Sequence, residues 1–248
     1  MAIVELNTAE RRTVEINLAR LHDMGMVTQD GGRTSASEDF RIIKRPLLRA
    51  ALGEDRGEKH SNLIVVTSAL PGEGKTYCAI NLAMSIAMEK DHTVMLVDAD
   101  VARPSVLKVL GLPSAPGLMD ILLNDRLALA DVILRTNIPS LSLLPAGRSN
   151  KHATELLASQ AMSALLEEIS SRYPDRIVVF DSPPLLLTTE SSVLAGQMGQ
   201  VVMVIESERT TQRAVKDALA RIDTCKHISI ICNKNRAFPG SDYYGYYE

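Results

Sequence analysis

The chain has 248 residues, 46% hydrophobic and 23% charged, with a formal net charge of −3. That size and apolar content suit one large α/β domain with a sizeable core, and with no basic block the composition gives no support to nucleic-acid binding. Cys78, Cys225 and Cys232 form no C-x-x-C pair and read as reduced core residues of a cytoplasmic protein. No apolar run approaches the ~18 residues of a spanning helix, so any membrane link is expected to come through a partner.

In chain order, residues 8–28 carry Val14, Ile16, Leu18, Leu21 and Met24 among charges and read as an amphipathic helix. A polar, glycine-containing linker follows at 29–34. A second helix is expected from Ser35, with Ser35 and Glu38 at capping-box spacing and Pro46 bending or interrupting it. Residues 53–60 form a charged linker, so 1–60 reads as a helical arm on the core. From Asn62 onward, expected strands 63–68, 93–98, 140–145, 176–181, 200–205 and 228–232 alternate with helices near 75–89, 104–111, 117–124, 153–173, 189–197 and 210–223. Thr210 or Thr211 would cap the last helix. Continuously apolar strands separated by helices predict an α/β fold with a mostly parallel central sheet covered on both faces, with ligands at the strands' carboxyl ends.

The strand at 63–68 runs into Pro71-Gly72-Glu73-Gly74-Lys75-Thr76, and a helix follows. Strand, glycine-rich turn, Gly-Lys-Thr and helix is the setting of a P-loop. Its backbone amides curl around phosphate, Lys75 reaches the β- and γ-phosphates, and the Thr76 hydroxyl holds Mg²⁺. The ATP-binding cradle is expected to extend from Pro71 to Tyr77. Two further strands end in acids, Asp98-Ala99-Asp100 and Asp181-Ser182-Pro183-Pro184. A strand-end Asp beside a P-loop can bind the metal directly or through water, so Thr76, Asp98 and Asp181 are the metal candidates. Three carboxylates beside a triphosphate make sense if a metal offsets their repulsion. Arg103 reads either as a stabiliser of charge on the transferring phosphoryl group or as an exposed arginine beside Pro104. Asn233-Lys234 reads either as an adenine contact or as a polar strand-end turn.

The combination of Pro71 to Thr76, Asp98-Ala99-Asp100 and Phe180-Asp181-Ser182-Pro183-Pro184 resembles the bacterial tyrosine kinases of exopolysaccharide and capsule synthesis, over nearly the whole chain. Asp98 to Pro104 and the tail are particularly similar to the autokinases of exosortase-type systems. The resemblance implies a P-loop NTPase fold related to the partition and division ATPases. Those relatives carry a signature lysine where this chain has Leu70. Glu38-x-x-Arg41-x-x-Lys44 is similar to the family's E-x-x-R-x-x-R oligomerisation motif, with lysine at its third place, and implies an interface between copies of the chain. In the family's D-x-D-x-R motif, Ala102 stands in the arginine slot and Arg103 comes one later.

Four of the six tyrosines, Tyr243, Tyr244, Tyr246 and Tyr247, lie in the last six residues, in a stretch with Gly240, Ser241 and no apolar periodicity. Beside a P-loop they read as phosphoacceptors, and the resemblance says the same. Three parts follow: the arm 1–60, a kinase core 61–237 and a tyrosine-rich tail 238–248, which is expected to be mobile. The expected function is ATP- and Mg²⁺-dependent tyrosine autophosphorylation in trans within a ring of subunits, controlling exopolysaccharide synthesis or export. Lys75, Asp98, Asp100, Arg103 and Asp181 are the expected catalytic set. The expected partners are further copies of the chain, a separate membrane co-polymerase that activates it, and a phosphatase. The alternatives are an ATP-gated switch of the partition or division type and a non-catalytic nucleotide-binding regulator of a polysaccharide polymerase.

Overall fold

In the computed structural model, residues 13–52, 60–172 and 175–235 are described. The tyrosine tail and the first twelve residues therefore lie outside the described residues. Eight strands, β1 (Thr13–Val14), β2 (Leu63–Ser68), β3 (Thr93–Asp98), β4 (Leu134–Thr136), β5 (Leu141–Leu144), β6 (Arg176–Asp181), β7 (Gln200–Glu206) and β8 (His227–Asn233), form one sheet in the order β1-β4-β5-β3-β6-β2-β7-β8. Every neighbouring pair is parallel except β4 with β5.

The central strands are buried on both faces, which is why they read as unbroken apolar runs. Alternate residues feed separate cores. Val65, Met95, Val97, Val178 and Phe180 pack with α5 (Leu118–Leu123), α7 (Ala153–Leu157), α8 (Gln160–Arg172) and α9 (Glu190–Ala195). Ile64, Val66, Val94, Leu96 and Val179 pack on the other face with α3 (Lys75–Ala87), α1 (Leu18–Asp23) and α2 (Ser35–Leu52). Ile16, Leu21, Phe40 and Leu47 of the first fifty residues share that second core. The remaining helices, α4 (Val106–Leu110), α6 (Leu129–Val132) and α10 (Gln212–Leu219), are short. No helix among the described residues is long and apolar enough to cross a membrane.

Several local expectations are corrected. The helix expected at 8–28 is a strand at 13–14 and a short helix at 18–23. The Asn137 side chain pins the Ile16 backbone with two hydrogen bonds, at 2.9 and 3.1 Å, and Asn17 caps α1 by accepting from Arg20 N–H. β1 and β4 were not foreseen. The helix expected at 153–173 breaks at Ser159, whose hydroxyl accepts from Met162 N–H and starts α8 afresh. Pro46 does not interrupt α2, which runs through it, and it sits on the exposed side of the helix. The cap of α2 is a reciprocal pair between Thr34 and Ser37, not Ser35 with Glu38. Thr211, not Thr210, caps α10.

Candidate functional site

β3, β6 and β2 are adjacent, so their carboxyl ends bring Asp98, Asp181 and the P-loop together; Asp98 and Asp181 are direct register partners. After β2 the chain turns through Gly72 and Gly74, at φ +84° and +97°, a region that suits glycine. α3 opens at Lys75 with Gly74 as its N-cap and no side-chain capping bond, leaving its first amides to a ligand.

The Lys75 ammonium lies 2.8 Å from Asp100 Oδ2 and 3.4 Å from Asp181 Oδ1. Thr76 Oγ1 donates to Asp181 Oδ2 at 2.7 Å. Asp100 Oδ1 accepts from Arg103 N–H at 3.1 Å. Asp98 Oδ2 accepts from the amides of Ser105 and Val106, both at 3.0 Å, at the start of α4. Its Oδ1 is buried with no hydrogen-bond partner among the described residues.

Burial, and then the Asp181 charge, push the Asp98 carboxyl up to about 7 against the pull of its two amides. Asp181 is likewise raised, by burial first, although Lys75 opposes it. Burial works to lower the Lys75 pKa, but Asp181 and Asp100 together outweigh it and hold the ammonium above its ordinary value. Burial, helped by Asp181, drives the Cys78 thiol up to about 12, so it is an inert core residue.

A cavity of about 520 Å³ opens over the P-loop, with Lys75, Thr76, Asp100 and Arg103 on one side and Pro183, Pro184 and Leu187 as an apolar wall; Asp98 and Asp181 lie behind this lining. A slightly larger hollow, about 560 Å³, lies at the opposite end of the strands, around Thr93, Arg135, Ser140 and Ser142, and none of the strand-end acids lines it.

Of the other residues singled out above, the Tyr77 hydroxyl donates to the Gly25 carbonyl and its ring meets Phe40 edge-on, so its side chain faces the first fifty residues. The Glu73 carboxylate lies buried beneath the loop, accepting from Leu70 N–H and the Thr210 hydroxyl. The Asn233 amide donates to the Glu73 carbonyl, so this side chain is committed to the P-loop backbone. Lys234, singled out with Asn233, donates to the Gly72 carbonyl at the same loop, where Glu206 and Thr210 also sit, neither expected there. The interface trio is split. Glu38 and Arg41 pair at the surface at 2.6 Å, whereas Lys44 is buried, donating to the Ser85 carbonyl at 2.6 Å and pairing with Glu89 at 2.7 Å.

These residues fit a magnesium-bound nucleotide. The glycines leave the cradle open, Lys75 is a largely buried cation for the phosphates, and Thr76 and Asp181 are hard donors for the metal, beside the unpartnered oxygen of Asp98. Among the described residues no group of three or more His, Cys, Asp or Glu is arranged to hold a metal alone. That suits Mg²⁺, which takes one or two protein oxygens together with phosphates and waters.

The family model "AAA domain" matches residues 61–235. The tyrosine-protein kinase YwqD of Bacillus subtilis is 30% identical over 213 residues, 85% of this chain and 86% of that protein. The tyrosine-protein kinase ptk of Acinetobacter johnsonii is 30% identical over 187 residues, 75% of this chain and 25% of that protein. Among solved structures, the chimerical protein CapA2B2 superposes with a TM-score of 0.71 at 26% identity, covering 88% of this chain and 92% of that one. Against relatives of the ptk type, the chain spans about a quarter of their length.

Proposed function

The chain belongs to the bacterial tyrosine kinase family, and from that membership we propose that it is an ATP-dependent protein-tyrosine autokinase whose acceptors are Tyr243, Tyr244, Tyr246 and Tyr247. The observation that carries the reading is Lys75, shared between Asp100 and Asp181 beside Thr76, at the mouth of a cavity with an apolar wall. That site suits a phosphate chain and a phenol ring at once.

Bound Mg-ATP supplies the transferable phosphoryl group and most of the charge neutralisation. The protein's own tasks are positioning and electrostatics. Lys75 and Arg103 offset charge on the phosphate. Asp98 accepts the phenolic proton at the oxygen that its two amides leave unused; a carboxyl near pKa 7 is matched to that role. Asp100 keeps Lys75 in place, and Asp181 and Thr76 support the metal.

Transfer runs in trans, from one subunit's site to a neighbour's tail, in a ring that uses the exposed Glu38–Arg41 pair. Each phosphotyrosine adds roughly −1.5 to −2 charges, so four add about −6 to −8. That exceeds the −3 of the whole chain. The modified tail is repelled from the acids of the site, the ring loosens, and exopolysaccharide synthesis or export responds through a membrane co-polymerase, with a phosphatase resetting the state. The test is to incubate the purified chain with Mg-ATP and map phosphate on the tail, with Lys75→Met and a chain ending at Phe238 as controls. Tail phosphorylation in the wild type alone is expected. None, even with the activator's cytosolic segment added, overturns the reading.

A further inference from the structure

We infer that Lys234 and Asn233, at the end of the edge strand β8, are positioning residues that aim the P-loop's phosphate-binding amides. The inference rests on the site binding a nucleotide, not on tyrosine being the acceptor. Lys234 Nζ donates to the Gly72 carbonyl at 2.7 Å, and Asn233 Nδ2 donates to the Glu73 carbonyl at 2.9 Å. These are successive peptides of the loop. In a planar trans peptide the C=O and the following N–H point in opposite directions. Pulling the Gly72 and Glu73 carbonyls toward β8 therefore turns the Glu73 and Gly74 N–H groups the other way, to the side where phosphate belongs.

The clamp is itself held. Glu206 pairs with the Lys234 ammonium at 3.0 Å, and Ser207 N–H donates to the Asn233 carbonyl at 2.9 Å. Lys234 keeps a left-handed backbone, φ +57°, which is rare in a lysine and brings its side chain back over the loop. The Glu73 carboxylate fastens the same loop from below through Leu70 and Thr210. The amides are thus fixed before phosphate arrives, and binding spends no free energy in ordering them.

The test is calorimetric titration of the full chain with Mg-ATP and Mg-ADP, for wild type, Lys234→Gly, Lys234→Arg and Asn233→Ala. Glycine tolerates a positive φ better than lysine does, so Lys234→Gly removes the ammonium and leaves the backbone at ease. Its Kd for both nucleotides should rise on the order of tenfold, the factor for one charge-assisted hydrogen bond, with binding still one to one. Lys234→Arg keeps a cationic donor and should stay within about threefold of wild type; Asn233→Ala should weaken both nucleotides severalfold. An unchanged Kd in Lys234→Gly, or a loss in Lys234→Arg as large as in Lys234→Gly, overturns the proposal. Binding is what is read, so a chain without kinase activity leaves this test standing. A wild type that binds no nucleotide sinks the functional reading before any variant is made.

Discussion

Removing the central cation has a consequence for the fold as well as for activity. Lys75→Met leaves Asp181, whose side chain is 0% exposed, and Asp100, at 8%, without the ammonium they share. Breaking a buried pair by deleting one partner costs about 3–5 kcal/mol. The lower figure applies here, because Asp181 keeps the Thr76 hydroxyl and Asp100 keeps the Arg103 amide. About 3 kcal/mol in a chain of this size lowers Tm by roughly 6–12 °C. The sign with pH follows from the acids. Burial already raises Asp181 above its unfolded value, and loss of Lys75 raises it further. A carboxyl with a raised folded pKa gives stability that is present below its unfolded pKa and lost as pH rises through the folded one. The variant's deficit should therefore grow as pH rises from the acid range upward. Scanning calorimetry of both proteins without nucleotide measures it, and Asp181→Asn added to Lys75→Met should recover part of the loss. A Tm for Lys75→Met within about a degree of wild type at pH 8 refutes the reasoning.

Lys44→Met keeps the buried stem but leaves the Ser85 carbonyl and Glu89 without their cation, so it should lose about 1–3 kcal/mol in urea melts, and Lys44→Ala, which removes the stem as well, should lose more. Neither should alter the assembled mass in sedimentation, since Lys44 points inward; a changed mass at unchanged stability would refute this. Glu89 is held below its usual pKa, chiefly by its hydrogen bond from Lys44. Its stabilisation is therefore present above about pH 4.5 and lost as pH falls further. Because Glu89 is partly open to water, Glu89→Gln should differ from wild type by less than about 1 kcal/mol at pH 7, with the gap closing in acid melts. Gly74→Ala places a Cβ at φ +97° against the Asn233 amide. It should lower stability by about 2 kcal/mol and raise the Kd for Mg-ATP at least tenfold, read by the same calorimetry.

The central sheet was legible because strands buried on both faces show up as runs such as Leu63 to Val66 and Ile177 to Phe180, and glycine and acid punctuation marks their ends. What escaped was decided by single long-range contacts. β1 has two residues and β4 three, too few for any periodicity, and Asn137 fixes the chain after β1 from 121 positions away. The break at Ser159 is one hydroxyl turned to an amide within an apolar pattern that continues across it. The resemblance to the E-x-x-R-x-x-R motif grouped Lys44 with Glu38 and Arg41 at an interface. Lys44 lies inside because the Ser85 carbonyl and Glu89 give its ammonium partners at the end of an otherwise apolar path, which no local signal on α2 reveals.

The place of Lys234 was legible but its contact with the Gly72 carbonyl was not, and the electrostatics of the site say why such fastening is needed. Asp100 and Asp181 share one ammonium with Asp98 beside them, and an incoming phosphate chain adds negative charge. At 4 Å and an effective dielectric of about 20, each like-charge pair opposes binding by about 4 kcal/mol. A bound metal relieves part of this. The loop's amide dipoles supply attraction without adding an ion to a crowded site, but only if they are already aimed. A flexible loop would lose that attraction to the entropy of ordering it. The carbonyls of Gly72 and Glu73 are tied to β8 for the same reason that Gly72 and Gly74 are glycines: the backbone itself is the ligand-binding group, and its direction has to be fixed in advance.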